Sequence, residues 1–310
     1  MLPARFRPQN PRMNSWLTTV GLPVALGIVM LGLGLGLTVQ DFRRVLAYPK
    51  LVVIALGCQV VLLPAACFAL VLAFDLQPEL AVGMMLLAAS PGGTTANLYS
   101  HLFGGHVAIN VTLTAVNSVL AAVTLPVVVN LSAEHFLGDA ASLGLQFDKV
   151  IQVFAIVLVP VSVGMALRAR FPDLATRLTG PVKLVSVVVL LAVISGAVVK
   201  ERDNITDYFV AVGAIVLIFN VLSLLVGYGV PRLAGVGRPE AIAAGMEIGI
   251  HNSTLAIAVA IGPSLLNNTR MAIPAAVYGI AMFFTAAAFG YLVTRRRAAT
   301  GPELDLDPTG

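Results

Sequence analysis

Long apolar runs alternate with short polar connectors along nearly the whole chain. Their approximate limits are 16–38, 49–74, 78–103, 107–132, 149–168, 180–199, 207–229, 239–262 and 272–294. A helix needs about 20 predominantly apolar residues to cross a bilayer, and each run is close to that length or exceeds it. The pattern therefore predicts an all-α polytopic membrane protein with nine transmembrane helices.

Composition and charge agree with this prediction. Hydrophobic residues make up 58% of the 310 residues and charged residues only 11%, whereas soluble domains carry about a quarter charged residues. The net charge of +4 comes mainly from arginines in short connectors, which is a signal of membrane topology rather than of nucleic-acid binding. Their distribution favours a multi-pass protein of the cell (inner) membrane with the N-terminus outside and the C-terminus cytoplasmic. Residues 1–15 and 295–310 are expected to be terminal segments.

Two polar stretches interrupt apolar runs near their middles. In the first, Ser90–Asn97, the residue Pro91 leaves the carbonyl of Leu87 without its helical partner, and Gly92 and Gly93 loosen the backbone further. The second is Gly245-Met-Glu-Ile-Gly249-Ile-His-Asn-Ser-Thr254. Non-helical backbone is tolerated at membrane depth only where it is buried or lines a cavity. Discontinuous helices of this kind hold ions and anions in secondary transporters.

A carboxylate, Glu247, lies eight residues after Pro239, about 12 Å into its run at ~1.5 Å per residue. That depth is close to the midplane of a ~30 Å hydrocarbon layer, where an unpaired charge is costly. No lysine or arginine follows Arg238 within the run, so a bound cation or a proton is the expected partner. Sodium prefers oxygen ligands. Candidates at similar depth are Gln59, Asn97, Asn110, Thr114 and the carbonyls of Ile248 and Ile250, although single polar residues also bond membrane helices together.

The two halves of the chain share a register. At an offset of 161 residues, Pro78 matches Pro239, Gln59 matches Asn220 and Ser90 matches His251. An odd number of crossings separates the matched runs, so the halves face opposite ways across the membrane. This arrangement predicts an inverted-repeat transporter with a site where the two interrupted helices meet.

The two polar stretches together resemble the motifs of the bile acid:sodium symporter family, and the similarity covers about residues 16–295. The resemblance implies one transporter domain, 16–294, made of a core domain (about 49–132 and 207–294) and a panel domain (about 16–38 and 149–199). It also implies that the two discontinuous helices cross within the core. Nine-helix members lack the extra first helix of ten-helix members, and this chain resembles the former.

The resemblance also implies two sodium sites and no cofactor. The first would use Asn97, Asn110, Thr114 and Glu247; the second would use Gln59, Glu247, His251 and the carbonyls of Ile248 and Ile250. Relatives often have serine in place of Ala96 and glutamine in place of His251. A histidine offers only nitrogen and can take up a proton near neutral pH, which leaves the number of sodium ions open.

A small organic anion, bile acid-like or a smaller carboxylate, is the substrate that the resemblance implies. Its carboxylate would meet the N-terminal ends of the half-helices, near Thr94, Asn252 and Ser253, where free amides and the helix dipole favour an anion. The pair Met282-Phe283 stands where some relatives have a polar pair, and this difference leaves the identity of the substrate open. Membrane lipid is the other expected partner, and the oligomeric state is not determined.

Two alternative functions use the same residues. A proton carried by Glu247 and His251 could replace sodium as the coupling ion. An intramembrane hydrolase could use Ser253 or Ser90 with His251. However, Ser253 is two residues from His251 and would point to a different helix face, and no third group that could orient the histidine is evident.

Overall fold

The computed structural model describes residues 22–138, 147–182, 184–185, 188, 205–262 and 265–299. Every regular element in these residues is a helix, apart from one isolated antiparallel bridge. The predicted all-α class is therefore confirmed. The terminal residues 1–15, and most of the sixth predicted run at 180–199, lie outside the described residues.

We number the helices in chain order. They are α1 (Leu22–Gly36), α2 (Val39–Arg43), α3 (Pro49–Ala73), α4 (Pro78–Ala89), α5 (Thr95–Leu102), α6 (Val107–Leu137), α7 (Phe147–Arg170), α8 (172–182), α9 (Ile205–Leu233), α10 (Arg238–Gly249), α11 (Ser253–Ile261) and α12 (Ile273–Ala299). Among the described residues, four helices are long and apolar enough to cross a membrane, namely α3, α6, and the greater parts of α9 and α12.

Both runs with polar middles are broken helices. The third run divides into α4 and α5, and the eighth divides into α10 and α11. Elsewhere the helices continue beyond the apolar limits: α6 reaches Leu137, and α12 reaches Ala299 and so includes the basic triplet 295–297. Residues 168–180, predicted as a connector, are almost entirely helical. Hydropathy indicates where a chain leaves the apolar layer, whereas a helix ends where its backbone hydrogen bonds end, so the two limits need not coincide.

Prolines determine where several helices begin and where α3 is distorted. Pro49, Pro78 and Pro239 stand in the first turn of α3, α4 and α10, where the missing N–H removes no helical bond. Within α3, a π turn covers Cys58–Leu62 and precedes Pro64. This wider turn contains Gln59, whose side chain is buried.

The broken helices lie at the centre of the molecule. Every residue from Leu80 to Ala89 is buried, and so is every residue from Ala241 to Gly249. The half-helix α4 packs against α3, α6 and α12, while α10 packs against α5, α6 and α9. The side chains at the two breaks are therefore surrounded by other helices rather than by lipid.

A second packing surface joins α1 to α7. A Cβ added at Gly34 would lie 2.2 Å from the carbonyl oxygen of Val161, and one at Gly164 would lie 2.6 Å from the carbonyl oxygen of Leu31. The glycines let the two backbones touch, as small residues do between membrane helices. This close pair belongs to the part of the chain that the sequence assigns to a panel domain.

Candidate functional site

The two helix breaks pair with each other through their backbones. Gly92 and His251 form an antiparallel bridge. The amide of Gly93 donates to the carbonyl of Ile250 at 2.6 Å, and the amide of Asn252 donates to the carbonyl of Pro91 at 2.7 Å. Unwound segments leave backbone groups that lipid cannot satisfy. Here the two segments satisfy part of each other's backbone groups, so their crossing is one structural unit.

The first break begins at Pro91 for a local reason. The preceding residue, Ser90, adopts an extended conformation with φ −71° and ψ 145°, as residues before proline usually do. The carbonyl of Leu87, which cannot receive a bond from Pro91, accepts bonds from the Ser90 amide at 3.0 Å and the Ser90 hydroxyl at 2.7 Å. Ser90 thus completes the end of α4.

One buried amide side chain supports each break. The Nε2 of Gln59 donates to the carbonyl of Ser90 at 3.0 Å, and the Nδ2 of Asn220 donates to the carbonyl of Gly249 at 2.8 Å. These are the two amides that the sequence register matches at an offset of 161 residues. The matched amides therefore act in a similar way, although the two carbonyls they bind, those of Ser90 and Gly249, are not themselves at the 161-residue offset. The hydroxyl of Tyr278 also donates to Gly249, at 2.9 Å.

Glu247 lies at the crossing and is fully buried. Its Oε2 accepts a bond from the Thr114 hydroxyl at 2.5 Å, and its Oε1 lies 3.4 Å from the Nδ2 of Asn117. In the described part of the chain, no salt bridge reaches this carboxylate. A Cβ added at Gly92 would lie 2.1 Å from Oε1, so the carboxylate of the second broken helix rests directly on the first break.

Several buried amide oxygens in this region accept no hydrogen bond. They are Gln59 Oε1, Asn97 Oδ1, Asn110 Oδ1 and Asn117 Oδ1. An unsatisfied buried acceptor costs about 1–3 kcal/mol, so such a group calls for a partner. Carboxylate, hydroxyl and amide oxygens form the donor set that a hard cation such as sodium prefers. The described residues contain no cluster of three or more His, Cys, Asp or Glu that could hold a metal ion. The residues present fit sodium.

The predicted first sodium set comes together around α6 and α10. Thr114 binds Glu247 directly. Asn110 donates from Nδ2 to the carbonyl of Ala243, one turn before Glu247, at 2.7 Å. Asn97 stands in the first turn of α5, which packs on α10 and α6.

Two residues of the predicted second sodium site, Gln59 and His251, meet at the carbonyl of Ser90. This oxygen accepts from Gln59 and also lies 3.2 Å from the Nδ1 of His251. The His251 ring stacks on Phe219 and meets the edge of Tyr278, while its Nε2 has no partner. The Ile250 carbonyl is bonded to the Gly93 amide. Ile248, in the last turn of α10, is completely buried.

The predicted substrate residues flank the crossing but differ in exposure. Thr94 is exposed at the start of α5. The side-chain oxygen of Asn252 accepts from the Leu255 amide at 3.0 Å and so caps α11. Ser253 is buried, and its hydroxyl has no partner. The free hydroxyl is the stronger candidate to meet a ligand, because the Asn252 oxygen already serves the helix.

The geometry gives no support to a hydrolase. The Ser90 hydroxyl donates to the Leu87 carbonyl, and His251 faces the Ser90 carbonyl rather than its hydroxyl. Two residues of the site were not among the predicted ligands. Asn117 follows Thr114 by three residues on the same face of α6, a spacing that could have identified it. Tyr278 has no sequence signal of this kind, because it lies in an ordinary apolar run.

Comparison with known proteins agrees with this arrangement. A family model described as the Sodium Bile acid symporter family matches residues 23–208. The chain belongs to this family. It is 28% identical to an uncharacterized sodium-dependent transporter of Bacillus subtilis, YocS, over 87% of this chain and 81% of that protein. It is 25% identical to the human ileal sodium/bile acid cotransporter, over 79% of this chain and 70% of that protein.

Plant relatives give a similar result. The chain is 28% identical to the probable chloroplastic sodium/metabolite cotransporter BASS2 of rice, over 88% of this chain but only 64% of that longer protein. As a member of the symporter family, the chain is a multi-pass membrane transport protein and not an enzyme. The family and its named members together support sodium-coupled transport.

Proposed function

We propose that this protein is a secondary active transporter that couples the entry of sodium to the symport of a small organic anion by alternating access. The observation that carries the proposal is the buried carboxylate of Glu247. It lies against the crossing of two broken helices, with only neutral partners in the described part of the chain. A monovalent cation beside it would remove the cost of the buried charge.

Sodium bound here would link the two halves of the protein. In the first site, Glu247 and Thr114 would supply oxygens together with those of Asn97 and Asn110, which have no partner among the described residues. In the second site, Gln59, His251 and the carbonyls of Ile248 and Ile250 are the candidates. Because these residues come from both broken helices and from their supports, a bound ion would hold the crossing in one arrangement. An anion's pocket built on the same breaks would then form more readily when sodium is present.

The anion would meet the N-terminal ends of α5 and α11. Thr94 directly precedes α5 and Asn252 directly precedes α11, and the positive dipole ends of such helices favour negative charge. Ser253 adds a hydroxyl that has no partner among the described residues. Relatives named as bile acid and metabolite cotransporters support a bile acid-like or smaller carboxylate as the substrate class.

The larger organisation follows from the same proposal. The core domain would contain 49–132 and 207–294 with both broken helices, and the panel domain would contain 16–38 and 149–199. The contact between α1 and α7 through Gly34 and Gly164 supports the panel as a unit. Alternating access would arise from movement of one domain against the other. Such a protein would sit in the inner membrane with its C-terminus in the cytoplasm.

A thermal-unfolding experiment tests sodium binding without knowledge of the anion. Purified protein is heated in NaCl or in the same concentration of choline chloride. A ligand at 100 times its dissociation constant stabilises the folded state by about 2.7 kcal/mol, so the wild type should unfold at a higher temperature in sodium. Glu247→Gln should lose this difference, because it keeps the shape but not the charge. Glu134→Gln, the same change at an exposed position, should keep it.

Transport is measured next in proteoliposomes. Uptake of radiolabelled taurocholate and of a series of short-chain carboxylates should require an inward sodium gradient and should stop in Glu247→Gln. If sodium leaves the wild type's unfolding temperature unchanged, or if Glu247→Gln transports at the wild-type rate, the proposed function is wrong.

The unpartnered Nε2 of His251 favours a second candidate, in which a proton replaces one or both sodium ions. The two are separated by imposing a pH gradient in the absence of sodium. Uptake driven by that gradient, and lost in His251→Gln, would favour proton coupling. Uptake that responds only to sodium would exclude it.

A further inference from the structure

A narrow cleft lies between α3 and α6 and reaches the first break. One wall is formed by Gln59, Val60 and Pro64 of α3, and the floor by Ala89 and Pro91. The other wall is a single face of α6, formed by Asn117, Leu120, Ala121, Thr124 and Val128. The cleft therefore begins beside the crossing and follows α6 away from it.

The α6 wall continues the face that carries the ion ligands. Asn110, Thr114, Asn117, Ala121, Thr124 and Val128 succeed one another at intervals of three or four residues, which places them in one stripe along a helix. The deep end of the stripe bonds Glu247 and the shallow end is partly exposed. Along this face, the side chains thus change from polar and buried to partly exposed without interruption.

Two buried amide oxygens belong to the cleft. Gln59 and Asn117 are 4% and 3% exposed, and neither Gln59 Oε1 nor Asn117 Oδ1 has a hydrogen-bond partner. The Nδ2 of Asn117 faces Glu247 at 3.4 Å, while Asn117 also lines the cleft. One amide therefore joins the carboxylate to the cleft. Oxygen acceptors without donors suit a cation that has lost part of its water.

We propose that a monovalent alkali cation at Glu247 is bound on the side that faces this cleft, and that Asn117 is a further ligand of that cation. The inference rests on the proposed function, since it needs a cation site at Glu247. With the orientation expected from the sequence, α6 runs outward from Asn117 to Val128, so the cleft opens on the outer side.

A charged tag in the cleft tests whether the bound cation lies next to it. Thr124 lies seven residues from Asn117, about 10 Å along the helix. Two unit charges about 12 Å apart, at an effective dielectric constant of about 20, change a binding equilibrium by roughly tenfold. Thr124→Cys is treated with a membrane-impermeant trimethylammonium thiol reagent or with a neutral hydroxyethyl reagent that forms the same disulfide. Mass spectrometry confirms the labelling, and the wild type controls for Cys58 and Cys67, which are buried.

The readout is the sodium concentration that gives half of the thermal stabilisation. The cationic tag at position 124 should raise it by about three- to tenfold, and the neutral tag by less than twofold. Val123→Cys, on the exposed face of the same turn, should show a clearly smaller change with the cationic reagent, because a charge on the exposed face is more strongly screened. Asn117→Ala should raise the same midpoint, whereas Asn117→Ser, which keeps an oxygen, should recover part of it.

Each outcome decides a different question. If Thr124→Cys does not react, or if its cationic tag leaves the sodium midpoint unchanged, the bound cation does not face the cleft. If tags at positions 123 and 124 act equally, the effect is one of bulk or surface charge and the proposal also fails. If untagged wild-type protein shows no sodium stabilisation, it is the proposed function that fails. Reagent added to one side of oriented proteoliposomes tests the outward opening, since reaction only from the inner side would reverse it.

Discussion

Gly92→Ala should disrupt the crossing of the broken helices, because the carboxylate of Glu247 occupies the space that a side chain at position 92 would need. The new Cβ would lie 2.1 Å from Oε1, 2.2 Å from Cδ and 2.7 Å from the backbone oxygen of Glu247. None of these atoms is the free end of a flexible chain, since Thr114 and Asn117 hold the carboxylate and the backbone oxygen belongs to α10.

The magnitude follows from the contacts. An extra methyl group in a well-packed core costs about 1–3 kcal/mol, and contact with backbone places this site at the upper end. With a shift of about 2 °C per kcal/mol for a chain of this size, the unfolding temperature should fall by about 6 °C. The adjacent glycine gives the matched control. A Cβ at Gly93 meets nothing closer than 3.4 Å, so Gly93→Ala should change the unfolding temperature by no more than about 2 °C.

A double variant tests the cause. Glu247→Ala removes Oε1 and Cδ but leaves the backbone oxygen, so Gly92→Ala should cost less in that background than in the wild type. Residues in contact typically show coupling of about 0.5–3 kcal/mol. The assay is thermal unfolding in detergent, and unfolding is monitored as loss of the monodisperse chromatographic peak. Equal stability of Gly92→Ala and Gly93→Ala, or strictly additive losses in the double variant, would refute the contact.

Two further predictions concern the surroundings of the site. Ser90→Ala should lower the unfolding free energy by about 1 kcal/mol, since it removes the hydroxyl bond to Leu87 but leaves the amide bond; an unchanged unfolding temperature would contradict this role. Gly34→Ala should reduce stability strongly because its Cβ would meet Val161 at 2.2 Å, whereas Gly36→Ala meets nothing within 4 Å and should be neutral in the same assay.

Both breaks, and most helix positions in the described residues, could be predicted from the sequence because their causes are local. The length of an apolar run predicts a membrane-spanning helix, and Pro91 with Gly92 predicts a break in that helix. Glu247 was also predictable, since a buried charge without a nearby basic residue demands a partner. These inferences use only the residue itself and its neighbours along the chain.

The contacts between helices could not be predicted in this way. Gln59 reaches the Ser90 carbonyl from a π turn, which shifts its direction relative to a regular helix. The sequence indicated that Leu87 would lose a partner, but not that Ser90 would replace it. Tyr278 reaches the Gly249 carbonyl only because α12 packs beside α11. In each case the partner is chosen by packing between distant segments.

The two breaks match in register but not in chemistry, and their difference explains why they fit together. The first supplies Gly92 and Gly93 and no charge, while the second supplies Glu247 and a bulky His251. Two acids at the crossing would repel each other, and two glycine-rich breaks would leave nothing to hold a cation. The space left by Gly92 is filled by the carboxylate of the other half. Movement of either half would therefore change the surroundings of the charge, and under the proposed function an ion bound to that charge would influence the movement of both halves.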